Sequence, residues 1–219
     1  SIPNIVIGSG DSGSPLLTSD GKVAGVLCYG FSGSNHQFVA RAIDDMLSIT
    51  TTSKNQNEQV NLSKQGMQQI ESAYYCSGID NDFIARYKSR DSYNIISRFA
   101  NFQTFNYTSN LKLTSLKSSS QSIIPGMSAT VVEIYGDLTI QGATGTISYI
   151  DNNDNMYAFG HHYSENYAPL AAPVFLADTK MFVDSYLDSY KYSDISEWYI
   201  GAMTMDNYYG VVFKQSVDQ

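Results

Sequence analysis

Residues Gly8-Ser9-Gly10-Asp11-Ser12-Gly13-Ser14-Pro15 leave this chain little conformational choice. Three glycines alternate with small polar residues and a proline closes the run, so the backbone must turn tightly and cannot continue as regular helix or strand. A serine held between glycines on such a turn has little side-chain bulk to shield its hydroxyl. The backbone N–H groups of Gly10 and Ser12 could converge on one point, which is what a developing oxyanion needs. Downstream, Gly21-Lys22 and then Val23-Ala24-Gly25-Val26-Leu27-Cys28-Tyr29-Gly30 read as a turn followed by a buried strand.

The remainder favours strands too. Seventeen Tyr stand against one Trp, beside many Thr, Val and Ile. With 219 residues, 42% of them hydrophobic, the chain can bury one large core or two small ones. A formal charge of −8 without any Lys/Arg run argues against nucleic acid or an anionic membrane surface as partner. No apolar run approaches the roughly 18 residues that span a bilayer, and no basic-then-apolar leader opens at Ser1. Cys28 and Cys76 have neither metal nor redox spacing; Cys28, in an apolar strand, reads as a buried free thiol. No metal or cofactor is expected.

Four segments follow from composition and periodicity. Residues 1–50 hold strand, serine loop, hairpin, strand and a short helix. Residues 51–66, rich in Ser, Asn, Gln and Lys, read as a polar linker. Residues 67–100 turn helical: Met67, Ile70, Ala73 and Tyr74 obey the i, i+3, i+4 rule, and Phe83, Ile84 and Tyr87 suggest a second short helix capped by Asp80 or Asn81. Arg86, Lys88, Arg90 and Arg98 nearby are interspersed with acids and read as a solvated face.

Residues 101–219 are strand-rich. Phe102, Phe105, Tyr107, Leu111, Leu113 and Leu116 suggest a hairpin, followed by a serine-rich loop from Lys117 to Ser122. Strands are expected at Ala129–Tyr135, at Leu138–Ile140, and separately from Gly142 to Ile150. Asp151-Asn152-Asn153-Asp154-Asn155 is a turn; the glycine and distal glutamate of a calcium loop are absent. Tyr157-Ala158-Phe159-Gly160 then delivers the chain to His161-His162. Imidazole suits proton transfer from a hydroxyl near neutral pH, its ordinary pKa being about 6.5.

Gly10-Asp11-Ser12-Gly13-Ser14-Pro15 resembles the nucleophile loop of chymotrypsin-like serine peptidases. Gly25-Val26 to Tyr29-Gly30 resembles the strand lining that fold's primary specificity pocket. Val39-Ala40-Arg41 and Asp44-Asp45-Met46-Leu47 resemble its closing strand and terminal helix. Ser14 in place of a second glycine is the variant of the stage IV sporulation protein B peptidase family. The ordered run Pro125-Gly126-Met127, Gly136-Asp137-Leu138, Gly142 to Asp151 and Ala158-Phe159-Gly160-His161 is similar to the His-bearing half of that family. The resemblance implies Ser12 as nucleophile, His161 as general base and Gly10 and Ser12 as oxyanion donors. It points near Asp206 for the orienting acid, with Asp178, Asp184, Asp188 and Asp194 as alternatives; Asp206-Asn207 also suits a plain hairpin turn. Val6, Cys28, Tyr29 and Gly30 would line an apolar or small substrate pocket.

In that family the base precedes the serine, whereas here Ser12 comes first. Two arrangements account for this: a permuted order of the two chymotrypsin-like β-barrel halves, or a His161 belonging to a second module while the serine loop's own partners lie upstream. The expected architecture is therefore mainly β, built from barrel halves with a small helical insert. The expected function is a serine endopeptidase, or a fragment of one, acting on a protein or peptide at the cell surface or outside the cell. The alternative is an inactive peptidase scaffold, with Tyr, Ser and Asn supplying a binding surface. Asn61-Leu62-Ser63 and Asn106-Tyr107-Thr108 would carry glycans only in a eukaryotic secretory route.

Overall fold

In the computed structural model, the described residues are 6–31, 34–49, 65–70, 72–77, 103–105, 117–118, 122–135, 140–164, 171–184 and 189–215. They are mainly β, as composition implied, with a single helix among them. A first sheet joins β1 (Pro15–Leu17), β2 (Val23–Phe31) and β3 (Ser34–Ala42) in sequence order, and β4 (Met67–Gln69) pairs with β2. Helix α1 (Ile43–Leu47) follows β3 directly, with Asp44 and Asp45 in its first turn, where the positive end of the peptide dipoles favours acids.

The second sheet has nine strands. It comprises β5 (Ala73–Ser77), β6 (Gln103–Phe105), β7 (Lys117–Ser118), β8 (Ser128–Tyr135), β9 (Ile140–Ile150), β10 (Asn155–Ala158), β11 (Pro173–Val183), β12 (Tyr190–Asn207) and β13 (Gly210–Lys214). The last six pair in the order β10-β13-β12-β11-β8-β9, and β9 pairs back with β10. They thus close into a ring, though not a regular barrel. Within it β8, β9 and β10 run consecutively antiparallel while β11 returns beside β8, which is Greek-key order.

Inside the ring, Val131, Ile147, Ala158, Phe159, Val174, Met203, Val211 and Phe213 form a core. A second core joins the two sheets: Val26 from β2 and Met46 from α1 pack with Tyr157 of β10 and Val212 of β13. The serine-bearing segment is thereby fixed against the ring beside β10, the strand that leads into His161.

Several expectations need correction. The helix expected from Met67 is replaced by β4 and β5. The i, i+3, i+4 spacing there was coincidental: Tyr29, Gly30 and Phe31 of β2 offer an open ladder to Met67–Gln69, and β9 offers another to Ala73–Ser77. Tertiary pairing outweighs a weak local preference. Residues 78–100, with the second expected helix, and residues 51–64 of the expected linker lie outside the described residues, as do Asn61 and the Asn106 sequon. So does most of the hairpin expected after Phe102. Lys117–Ser118, expected in a loop, pairs in parallel with Trp198–Tyr199 of β12.

The strand break expected before Gly142 is absent, because β9 runs unbroken from Ile140 to Ile150. Its glycines mark close approach instead of interruption. A Cβ on Gly142 would lie 2.5 Å from the Val131 carbonyl oxygen, and one on Gly145 would lie 2.4 Å from the Phe159 ring. The Asp151–Asn155 turn forms as expected: the Asp151 carboxylate accepts from the Asn153 and Asn155 N–H groups at 2.8 and 2.9 Å. Cys28 is a buried free thiol.

Candidate functional site

The serine loop is held by its own backbone and by three strands. Asp11 N–H donates to the Gly8 carbonyl (3.1 Å) and Ser14 N–H to the Asp11 carbonyl (3.0 Å), which sets two successive turns around Ser12. Gly13 N–H donates to the Leu27 carbonyl (2.9 Å) and Leu27 N–H to the Ser14 carbonyl (3.0 Å), tying the loop to β2. From β9, Thr146 N–H donates to the Ser12 carbonyl (2.9 Å), Thr146 Oγ1 to the Gly10 carbonyl (3.1 Å) and Ser148 Oγ to the Gly13 carbonyl (2.7 Å). From β12, Lys191 N–H donates to the Ser9 carbonyl (2.8 Å), and Lys191 Nζ pairs with Asp11 at 3.3 Å and with Thr146 Oγ1 at 3.1 Å.

Gly13 could be nothing else. Its φ of +90° is in the left-handed region, and a Cβ there would lie 2.2 Å from the Thr146 carbonyl oxygen and 2.5 Å from the Phe159 nitrogen. That contact brings the residue after Ser12 against the chain just before His161. Phe159 itself sits at φ +70°, a strained conformation for a bulky residue, and is wholly buried. Gly160 follows at φ +68°, where a Cβ would lie 2.9 Å from the Leu27 carbonyl oxygen and 3.0 Å from Val26 Cγ1. These two residues turn the chain out of β10 and pack it against β2 just before His161.

Both candidate side chains are withdrawn from solvent, Ser12 at 0% and His161 at 2% exposure. Ser12 Oγ and His161 Nε2 are both buried polar atoms without a hydrogen-bond partner among the described residues. An orphaned buried polar atom ordinarily costs about 1–3 kcal/mol; these two lie in interlocked segments and do not hydrogen-bond each other. Nδ1 of His161 is engaged by the His162 carbonyl at 2.7 Å. A carbonyl can only accept, so Nδ1 carries the proton and Nε2 holds the free lone pair. Burial, with a further push from the Arg41 charge, lowers the His161 pKa from 6.5 to about 4, against the opposing pull of the His162 carbonyl. The imidazole is neutral at pH 7.

Gly10 and Ser12 N–H groups make no hydrogen bond to another backbone group among the described residues, as an oxyanion site requires. Asp206 is fully buried at the end of β12, where its carboxylate accepts from Tyr163 N–H (2.7 Å), Ser164 N–H (2.9 Å) and Ser164 Oγ (2.9 Å). It therefore anchors the backbone that follows His161–His162, while the imidazole's own Nδ1 bond runs to a carbonyl. The hairpin that follows is real as well, with Tyr209 N–H bonded to Asn207 Oδ1 at 3.0 Å. Asp178 and Asp194 lie opposite each other on β11 and β12 and share Lys180; Asp184 accepts from Ser189 Oγ. Asp188 lies outside the described residues.

No known protein family, curated protein or solved structure matches this chain.

Of the expected pocket residues, Val6 is half-buried, Cys28 donates its thiol to the Val39 carbonyl at 3.5 Å, and Gly30 stands against Ile70. The Tyr29 hydroxyl meets that of Tyr208 at 2.6 Å, and burial together with this bond raises its pKa. Arg41 lies over the rings of Tyr208 and Tyr209, with its guanidinium carbon 4.8 and 4.6 Å from their centroids. Sequence reasoning missed Thr146, Ser148, Lys191 and Arg41. The first two left a faint signal, hydroxyls two residues apart in an apolar strand and hence on one face. Lys191 and Arg41 left none.

Proposed function

We propose that this chain is a serine endopeptidase, or the part of one that bears its nucleophile and base, with the two halves of a chymotrypsin-like fold in permuted order. The observation that carries the proposal is that Ser12 Oγ, on a turn packed against the Phe159 backbone, and His161 Nε2, two residues beyond Phe159, are both buried with no hydrogen-bond partner among the described residues, and so do not bond each other. The six-strand ring leading into His161 supports reading residues 123–214 as the His-bearing half.

In the proposed reaction Ser12 Oγ attacks the carbonyl carbon of a peptide bond as its proton passes to His161 Nε2. The oxyanion so formed accepts hydrogen bonds from Gly10 and Ser12 N–H. Collapse breaks the C–N bond, Nε2 returns the proton to the leaving amine, and water then hydrolyses the ester by the same route. The His162 carbonyl fixes the tautomer, and Asp206 acts through the backbone of Tyr163 and Ser164 as a positioning residue.

One observation favours the inactive-scaffold reading: neither side chain reaches solvent. Fluorophosphonate labelling followed by peptide mapping separates the two. The proposal expects a Ser12 adduct, absent in Ser12→Ala and slowed in His161→Gln. Labelling that persists in Ser12→Ala overturns it; an intact fold with no Ser12 adduct supports the binding scaffold.

A further inference from the structure

From Ser9 to Gly13 every backbone carbonyl is held. Lys191 N–H of β12 donates to the Ser9 carbonyl at 2.8 Å, Ser14 N–H to that of Asp11 at 3.0 Å, and Thr146 N–H of β9 to that of Ser12 at 2.9 Å. The other two are held by side chains: Thr146 Oγ1 donates to the Gly10 carbonyl at 3.1 Å and Ser148 Oγ to the Gly13 carbonyl at 2.7 Å. A peptide plane whose carbonyl is fixed has its N–H fixed in the opposite direction. The Asp11, Gly13 and Ser14 N–H groups donate to the Gly8, Leu27 and Asp11 carbonyls, while those of Gly10 and Ser12 meet no backbone acceptor among the described residues. The two side-chain donors stand where the turn resists rotation least. Gly10 and Gly13 have φ of +92° and +90°, and a glycine passes between its allowed conformations with little steric resistance. Both hydroxyls lie on one face of β9 and both are buried. The β9 ladder, being main-chain, needs neither of them. Lys191 Nζ donates to Thr146 Oγ1 at 3.1 Å, which commits the proton of that hydroxyl to Gly10.

We propose that Thr146 and Ser148 are positioning residues of the site: their hydroxyls fix the angle between the Gly10 and Ser12 N–H groups that receive the oxyanion. The proposal rests on the peptidase reading of Ser12 and His161. The Gly10–Asp11 peptide joins the two planes that carry those donors, so a rotation there changes the angle between them; Thr146 Oγ1 holds it by its carbonyl. The Gly13–Ser14 peptide acts one step further away. Its N–H holds the Asp11 carbonyl, and thereby the plane of the Ser12 N–H, while Ser148 Oγ holds its own carbonyl. Neither hydroxyl bonds Ser12 Oγ, so both act through the turn alone. The ring that bears His161 therefore also sets the geometry of the nucleophile's segment, and the two donors are aligned only while the serine loop is docked on β9.

Thr146→Val and Ser148→Ala remove the hydroxyls and keep the strand, and Thr146→Ser retains its hydroxyl. Two measurements on the full chain test the proposal. The first is fluorophosphonate addition to Ser12, resolved into reagent affinity and maximal rate of adduct formation. Deleting an oxyanion donor outright slows acyl transfer about a hundredfold to a thousandfold, so misaligning one should lower the maximal rate by about tenfold in Thr146→Val and Ser148→Ala. Affinity should be unchanged, and Thr146→Ser should match wild type. The second is hydrogen exchange at the Asp11 and Ser14 N–H groups, which should quicken in the two variants while Val131 and Phe213 in the ring core keep their protection. If Thr146→Val does not fold, Ser148→Ala carries both measurements. A maximal rate equal to wild type in the variants, or one equally slow in Thr146→Ser, would overturn the positioning role and leave the peptidase reading standing. No Ser12 adduct in wild type, with faster exchange in the variants, would remove the peptidase reading and retain the two hydroxyls as holders of the turn. Absence of both the adduct and the faster exchange would overturn both.

Discussion

Lowering the pH should destabilise this protein through His161, and the size of the effect follows from its surroundings. In the unfolded chain the imidazole titrates near its ordinary 6.5; in the folded protein burial, helped by the Arg41 charge, takes it to about 4. Between those two values the unfolded state binds a proton that the folded state refuses. The folded pKa is the lower one, so this contribution is fully present above about pH 6.5 and is lost as pH falls through about 4. At 1.36 kcal/mol per unit, the stabilisation lost is about 3 kcal/mol. A native domain holds only about 5–15 kcal/mol, so this is a large fraction. Urea unfolding at half-unit steps from pH 7.5 to 4 measures it in wild type and His161→Gln. The wild-type stability should fall more steeply, by up to about 1.4 kcal/mol per pH unit within the window, whereas the glutamine variant lacks that slope. Parallel curves for the two proteins, or an imidazole proton resonance in the folded state titrating near 6.5, would refute the reasoning.

Two further substitutions probe the framework around the site. Gly145→Ala should destabilise by about 1–3 kcal/mol, since its Cβ would fall 2.4 Å from a Phe159 ring that is fully buried and already at a strained φ; a thermal midpoint equal to wild type would show that Phe159 can yield. Asp206→Ala strips the acceptor from the half-buried Tyr163 N–H and Ser164 N–H, at about 1 kcal/mol for each hydrogen bond lost. Hydrogen exchange should report this as lost protection at those two amides, and unchanged protection would remove Asp206 as the anchor of that segment.

What was legible in the sequence was local. Glycines at 8, 10 and 13 around a serine favour a turn, and the Val, Ile and Tyr content of β2 and β8 declares strands. Asp151 with its following asparagines specifies a turn through its own side chain. Each rests on interactions within a few residues. The misreadings came where a partner distant in sequence decides. Met67–Ser77 has helical spacing yet forms strands, because β2 and β9 present open edges to it. Gly142 looked like the start of a separate strand, yet it and Gly145 are where β8 and Phe159 press against β9.

The site divides in the same way. Ser12 and His161 could be named from their flanking glycines. That one hydroxyl turn and one imidazole belong to interlocked segments depends on Gly13 fitting between Thr146 and Phe159, a contact spanning most of the chain. The protonation of His161 is also a tertiary property, since it is set by burial, by Arg41 and by the His162 carbonyl. The chain alone supplied the candidate groups. Only folding decided which segments interlock, because the energy that holds them together resides in cores and ladders built from residues far apart in sequence.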